Sequence, residues 1–285
     1  MIDHSTWVVG VDGSEGSVRA LRWAARNAPG HASTLRVIRA WSVPATGELN
    51  MTPAMVTDIE PDSAWDGLDV LASEMRARGV DVDGAVVYGP TSTVLLDACR
   101  DADLLVVGTR GRGGFTRLLL GSTSHQCATH ATIPVVVVPD TAEVDHGLTR
   151  IVVGMDASPG ARAALSWAIG FAGADLDIHV VGAGTRSGRP GTDLEDIDAE
   201  VENSRAEFET AIGEVEAALS ARGRVDREFV SQHPATALLD AVSSTDLLVV
   251  GDRGRRGLVG ALLGSVSTEV LHRSSCPVVV VPASR

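Results

Sequence analysis

The chain has 285 residues, 44% of them hydrophobic and 21% charged, with a formal net charge of −13. That length suits two domains of ordinary size, each able to bury a core without staples, and the acidic balance argues against the broad positive face that nucleic acid or an anionic membrane surface requires. Lysine is absent, all 24 basic residues being arginine, which removes the P-loop lysine, Schiff-base chemistry and any lysine base.

The first predicted strand, Thr6 to Val11, is apolar on both faces and is closed by Asp12-Gly13-Ser14. Ser14 reads as the N-cap of a helix over 15–28 with Leu21 and Ala25 inward, ended by Pro29-Gly30. A second strand follows over 35–41. From Ser42 to about Pro61 the pattern is a loop punctuated by Pro44, Gly47 and Pro53, and then comes an amphipathic helix over 62–78 stopped by Gly79. The third strand covers 82–88, a short helix 91–100, and the fourth strand 103–108. A helix over 121–131 leads to Pro134 and the four valines 135–138, closed by Pro139.

After a polar bridge, 140–149, the order starts again. A strand over 151–155 meets Asp156-Ala157-Ser158, and Ser158-Pro159 is a cap followed by proline at the first helical position. Trp167 sits in this helix as Trp23 does in the first. The next strand covers 178–183. A glycine-rich loop over 184–192, a long helix over 194–221 and a strand over 225–230 come next. A helix over 234–243, a strand over 246–251 and Pro277-(Val)4-Pro282 complete the copy. Asp12 and Gly79 recur as Asp156 and Gly223 with a shift of 144; Gly108, Gly111, Gly121, Ser122 and Pro134 recur as Gly251, Gly254, Gly264, Ser265 and Pro277 with a shift of 143. A register that drifts by so little marks duplicated domains, placed at 1–140 and 147–285; the period is far too long for a solenoid.

Apolar strands alternating with helices predict an α/β fold: two doubly wound domains, each a five-stranded parallel sheet with helices on both faces. Ligands in such sheets bind beyond the carboxyl ends of the strands, where strand order reverses. The Asp12 turn and the Gly108 loop both lie at carboxyl ends, so neighbouring first and fourth strands would set them across one crevice. The loop has the chemistry of a phosphate cradle. Gly108 ends a strand, Gly111 admits unusual backbone conformations, and Gly121-Ser122 opens a helix whose free N–H groups and dipole favour an anion. Ser122 and Ser124 add hydroxyls, as do Ser265 and Ser267. Arg110, Arg112, Arg253, Arg255 and Arg256 add local positive charge.

The pattern Gly108-x2-Gly111-x9-Gly121-Ser122, with Val9-Gly10-Val11-Asp12-Gly13-Ser14 before it and Pro134-(Val)4-Pro139 after it, resembles the nucleotide-binding pattern of the ATP-binding universal stress proteins. The resemblance covers both halves and is that of a tandem protein of the actinobacterial type. It implies a Rossmann-like fold related to the adenine nucleotide alpha hydrolases, and ATP, with or without Mg2+, as ligand. It implies that Asp12 and Asp156 contact the adenosine end, beside Gly10 and Gly154. Ala40 and Ala183 would offer backbone groups to adenine. Gly108, Arg110 and Gly111, with Gly251, Arg253 and Gly254, would wrap ribose and phosphates. Gly121, Ser122, Thr123 and Ser124, with Gly264, Ser265, Val266 and Ser267, would hold the terminal phosphates. The implied function is a nucleotide-sensing regulator of stress response or growth arrest; a slow ATPase or self-phosphorylating protein is the alternative, with Ser122 or Ser265 as acceptor. The resemblance also implies that strand five pairs across a pseudo-two-fold axis, so Val135–Val138 and Val278–Val281 are expected to pair within the chain, a homodimer being the other way to cover them. The neighbourhoods differ at Gly113-Gly114 against Arg256-Gly257 and at Thr123 against Val266, so unequal affinities are expected.

Other groups read as structural. His125 and His130 are five apart on one helix and do not stack as a metal pair. Cys127 lies between them, and Cys276 stands where the first copy has Ile133. The acidic run 195–202 reads as a solvated helix face. Cys99, Cys127 and Cys276 fit neither a disulfide framework nor a zinc site. The start of the chain lacks a signal-peptide pattern and no apolar run is long enough to span a membrane. The expectation is a cytoplasmic homodimer that binds ATP, with no nucleic-acid or membrane partner.

Overall fold

The computed structural model describes residues 5–42, 68–111, 120–173, 176–184, 194–219, 224–254 and 263–283. The predicted loop after Ser42, the start of the helix expected from residue 62, Gly223, and Arg112, Gly113, Gly114, Arg255, Arg256 and Gly257 lie outside them. The chain divides into two compact units, Met1–Ile133 and Pro134–Arg285.

In the first unit the elements follow as β1 (Thr6–Gly10), α1 (Glu15–Asn27), β2 (Thr34–Trp41), α2 (Leu68–Ala77), β3 (Asp81–Tyr88), α3 (Thr91–Ala98), β4 (Leu104–Gly108) and α4 (Ser122–His130). The strands order as β3-β2-β1-β4, with β1 parallel to both β2 and β4. Strand side chains alternate between faces, and β1 shows which helix covers which. Trp7 stacks on Trp23 of α1 at 6.1 Å, whereas Gly10, on the other face, lies against Leu95 of α3. Helices therefore cover both faces. Trp7, Val9, Leu35, Val37, Leu104 and Val106 are buried as the apolar runs require. Within α1 the buried positions are Gly16, Ser17, Ala20, Trp23, Ala24 and Ala25; Leu21, expected inward, is only half-buried, and Trp23 fills the space over Trp7. Gly79 ends α2 with φ of 80°, a conformation that favours glycine.

In the second unit β5 (Val135–Val138) comes first. It is followed by β6 (Arg150–Gly154), α5 (Pro159–Ala172), β7 (Asp177–Ala183), α6 (Leu194–Leu219), β8 (Val225–Val230), α7 (Pro234–Ala241), β9 (Leu247–Gly251), α8 (Ser265–Arg273) and β10 (Val278–Val281). The order is β5-β10-β9-β6-β7-β8. All pairs are parallel except β5 with β10, which run antiparallel with Val136 opposite Val279. The fifth strand of the first repeat thus clusters with the second unit, and the two valine strands pair as expected. None of their eight valines is more than 5% exposed, so pairing removes an apolar edge that would otherwise recruit another chain.

Candidate functional site

The strand order fixes the site. β1 lies between β2 and β4, and β6 between β7 and β9, so each repeat reverses direction beside its first strand. The turn after the first strand and the loop after the fourth meet there.

Consider the turn. The Asp12 carboxylate Oδ1 accepts the Ser14 N–H at 2.9 Å, and Asp156 accepts the Ser158 N–H at 3.0 Å. An aspartate bonded to the N–H two residues on closes an Asx turn. The middle residue has φ of 77° at Gly13 and 62° at Ala157, so the second repeat imposes on alanine a left-handed conformation that the first gives to glycine. Each serine then caps its helix, accepting from the Ser17 or Ala161 N–H at 3.2 Å. Its hydroxyl also reaches a loop carbonyl, that of Arg110 or Arg253, at 3.4 Å.

The glycines bring backbones together. A Cβ at Gly108 would sit 2.6 Å from the Gly16 carbonyl oxygen; at Gly251 it would sit 2.5 Å from the Gly160 carbonyl carbon. The loop therefore rests on the first turn of α1 or α5 with no side chain between. A Cβ at Gly111 would overlap Asp12 Oδ2, and one at Gly254 would lie 2.6 Å from Asp156 Oδ2. Neither Gly111 nor Gly254 has a positive φ. They are glycines because the loop closes over a carboxylate, which corrects the expectation that Gly111 supplies an unusual backbone angle. Gly10 and Gly154 reach the same edge, but the space their side chains would fill belongs to Leu95 and Leu238; they admit helices rather than open room for a ligand.

The far side of the loop is a helix start. Gly121 N donates to Thr109 O at 2.7 Å and Gly264 N to Asp252 O at 2.8 Å. Gly121 and Gly264 are the N-caps of α4 and α8, and no side chain caps either helix. The N-terminal N–H groups of a helix capped this way are available to an anion. Ser122 and Ser265 are exposed there, and Thr123 and Val266 are half-buried. Ser124 and Ser267 behave differently from expectation. Both are 3% exposed, and their hydroxyls donate to the Gly108 and Gly251 carbonyls at 2.6 and 2.7 Å. A hydroxyl has one proton, so these serines clamp the loop instead of donating to a phosphate.

Arg110 and Arg253 are half-buried in the loops, and Arg253 Nε lies 3.6 Å from Asp252 Oδ2. Pairing between β1 and β2 ends at Gly10 with Ile38, and between β6 and β7 at Gly154 with Val181. Ala40 and Ala183 therefore lie beyond the first strand, at the carboxyl edge where the Asp12 and Asp156 turns begin. The sequence reading missed Gly16 and Gly160, and missed that the Ser14 and Ser158 hydroxyls reach the loop carbonyls. The available signal was a glycine two residues after each cap serine in both copies, costly in a helix unless something approaches closely.

The remaining reactive groups are quiet. Burial pushes the Cys99 and Cys127 thiols up to about 12, and the Cys276 thiol to about 11. None is a thiolate at neutral pH. No group of three or more His, Cys, Asp and Glu suited to a metal ion is found among the described residues, and no described helix is long and apolar enough to cross a membrane.

The model of the universal stress protein family matches residues 5–139 and again 147–282. The chain belongs to the universal stress protein family. Its two family repeats agree with the duplicated turn and loop. A universal stress protein of Mycolicibacterium smegmatis is 33% identical over 290 residues, covering 96% of each chain. One of Mycobacterium tuberculosis is 31% identical over 296 residues, covering 96% of this chain and 95% of its own. The crystal structure of a universal stress protein from Archaeoglobus fulgidus shares the fold, with a TM-score of 0.68 at 20% identity, over 98% of this chain and 96% of that one.

Proposed function

We propose that this universal stress protein binds ATP in each repeat, within 1–140 and within 147–285, and acts as a nucleotide-sensing regulator of stress response or growth arrest. The observation that carries the reading is the same construction made twice. In each repeat an Asx turn, a glycine loop on the first turn of a helix and a helix start without a side-chain cap meet at the switch point. The uncapped N–H groups of α4 and α8, with the exposed Ser122 and Ser265 hydroxyls, suit the terminal phosphates. Gly108, Arg110 and Gly111, with Gly251, Arg253 and Gly254, wrap ribose and inner phosphates. Ala40 and Ala183 offer backbone groups to the base. Asp12 and Asp156 keep Oδ1 on the turn, and Oδ2 faces the loop glycine, where a ribose hydroxyl or Mg2+ fits its acceptor chemistry. As part of the same proposal the protein works in the cytoplasm as a homodimer.

Mass spectrometry of the chain purified without added ligand, then denatured, reads whatever nucleotide it carries. The expected result is adenine nucleotide at up to two per chain, falling to about one per chain in Asp12→Ala or Asp156→Ala and to none in the double variant. Nucleotide at unchanged stoichiometry in the double variant would place binding elsewhere and contradict the site.

A further inference from the structure

At the sites just proposed the two loops differ in one buried group. Thr109 follows Gly108 in the first; Asp252 follows Gly251 in the second. Their backbones are equivalent, since each carbonyl accepts the N–H of the glycine that opens the next helix, at 2.7 and 2.8 Å. Their side chains are not. Thr109 is neutral and 4% exposed. Asp252 has a side chain 12% exposed, with Oδ2 3.6 Å from the Arg253 Nε of the same loop. Its Oδ1 accepts the Ala283 N–H at 3.1 Å and lies 3.4 Å from where a Cβ would stand on Gly160, in the first turn of α5. The carboxylate is thus held by Ala283 on one oxygen and Arg253 on the other, inside the turn that α8 closes and close against the bare glycine of α5.

A pinned, largely buried charge is weakly screened, and its effect on a ligand scales with the ligand's own charge. It also gives the loop arginine a counter-ion before any phosphate arrives. Arg256, opposite Gly113, offsets Asp252, but Gly260 stands opposite Arg117, so the second loop keeps one formal positive charge fewer than the first; Asp252 is the charge whose place in the described turn is fixed.

We infer that Asp252 sets the charge preference of the second site: relative to the first, the second repeat discriminates against the triphosphate and in favour of adenine ligands of low charge. This rests on the reading of both loops as nucleotide sites. The test is calorimetric titration of the full chain with adenosine, AMP and ATP at one fixed low salt concentration. Gly111→Val fills the contact with Asp12 and closes the first loop, so that binding reports the second. In that background Asp252→Asn keeps the acceptor for Ala283 N–H and removes the charge. ATP is expected to bind about tenfold tighter, AMP by less, and adenosine unchanged. The reciprocal pair, Thr109→Asp with Gly254→Val, weakens ATP about tenfold at the first site and leaves adenosine alone. If the closing variants unfold, the same shifts are read in the otherwise unaltered chain as the weaker and stronger of two binding classes. Equal changes for ATP and adenosine, or none, would overturn the role of Asp252 and leave the nucleotide reading intact. No binding of any of the three ligands to the unaltered chain would overturn that reading, and this inference with it.

Discussion

The two repeats build their loop edges almost identically and their opposite edges differently. At the carboxyl edge, the aspartate-to-serine bonds differ by 0.1 Å and the serine-to-loop bonds not at all. At the amino edge, Asp103 is exposed and accepts the Thr6 N–H at 2.9 Å. Its counterpart Asp246 is 1% exposed and accepts from Thr149 Oγ1 at 2.7 Å, Ser243 N at 2.9 Å, and Arg150 Nε and Nη2 at 3.2 and 3.0 Å. Burial by itself would push the Asp246 carboxyl up; the bonds from Thr149, Ser243 and Arg150 outweigh it and hold the group below its ordinary value. At the edge proposed to hold the nucleotide the two repeats keep one geometry; where only the sheet is anchored, different bonds suffice.

Variants can break that comparison at the anchored edge. Asp246→Ala leaves Thr149, Ser243 and the partly exposed Arg150 without their acceptor, and is expected to cost about 2–3 kcal/mol in urea unfolding. Asp103→Ala is expected to cost less than about 1 kcal/mol. Equal losses would mean that the buried network stabilises no more than the exposed bond.

Acid sharpens the same contrast. Asp246 has a folded pKa below its unfolded one, near 3.9, so its contribution is complete above the unfolded value and is lost as pH falls through the folded value. The stability gap between the unaltered chain and Asp246→Asn should hold from neutral pH to about pH 5 and shrink below about pH 4. A gap that stays constant to pH 2 would show that the charge contributes nothing.

At the conserved geometry of the loop edge the expectation reverses, and the repeats should respond alike. Ser14→Ala and Ser158→Ala should each cost about 1 kcal/mol, and each should weaken nucleotide binding in its own repeat, because the serine also holds the Arg110 or Arg253 carbonyl. The smallest effect concerns Ala157, the one non-glycine residue with positive φ among the described residues. Ala157→Gly relieves a φ of 62° and should add about 0.5–1 kcal/mol, while Gly13→Ala removes about as much. Loss of stability in Ala157→Gly would show that the turn carries no strain.

Much of this was legible in the residues. The apolar strands, Ser14 and Ser158-Pro159 as helix starts and the constant repeat register specified the doubly wound units; the valine runs between prolines marked strands that had to be covered, and the family resemblance supplied their pairing with each other. The site's location followed from glycine spacing. The division of labour within it did not. Spacing shows that Gly111 is glycine but not whether the cause is a backbone angle or the Asp12 carboxylate beneath it. It shows Ser122 and Ser124 side by side, but which hydroxyl turns inward depends on helix phase against the loop, and only the fold sets that. Nor does a loop motif reveal that Asp252, opposite Thr109, is buried.

The central claim is that the duplicated edge holds two nucleotides per chain. Equilibrium dialysis of the full chain against labelled ATP tests it most directly. The account predicts saturation near two ATP per chain, in two classes of unequal affinity, with the weaker class lost in Asp156→Ala. No retention of ATP at micromolar protein and ligand, or binding unaffected by removing both Asp12 and Asp156, would contradict it.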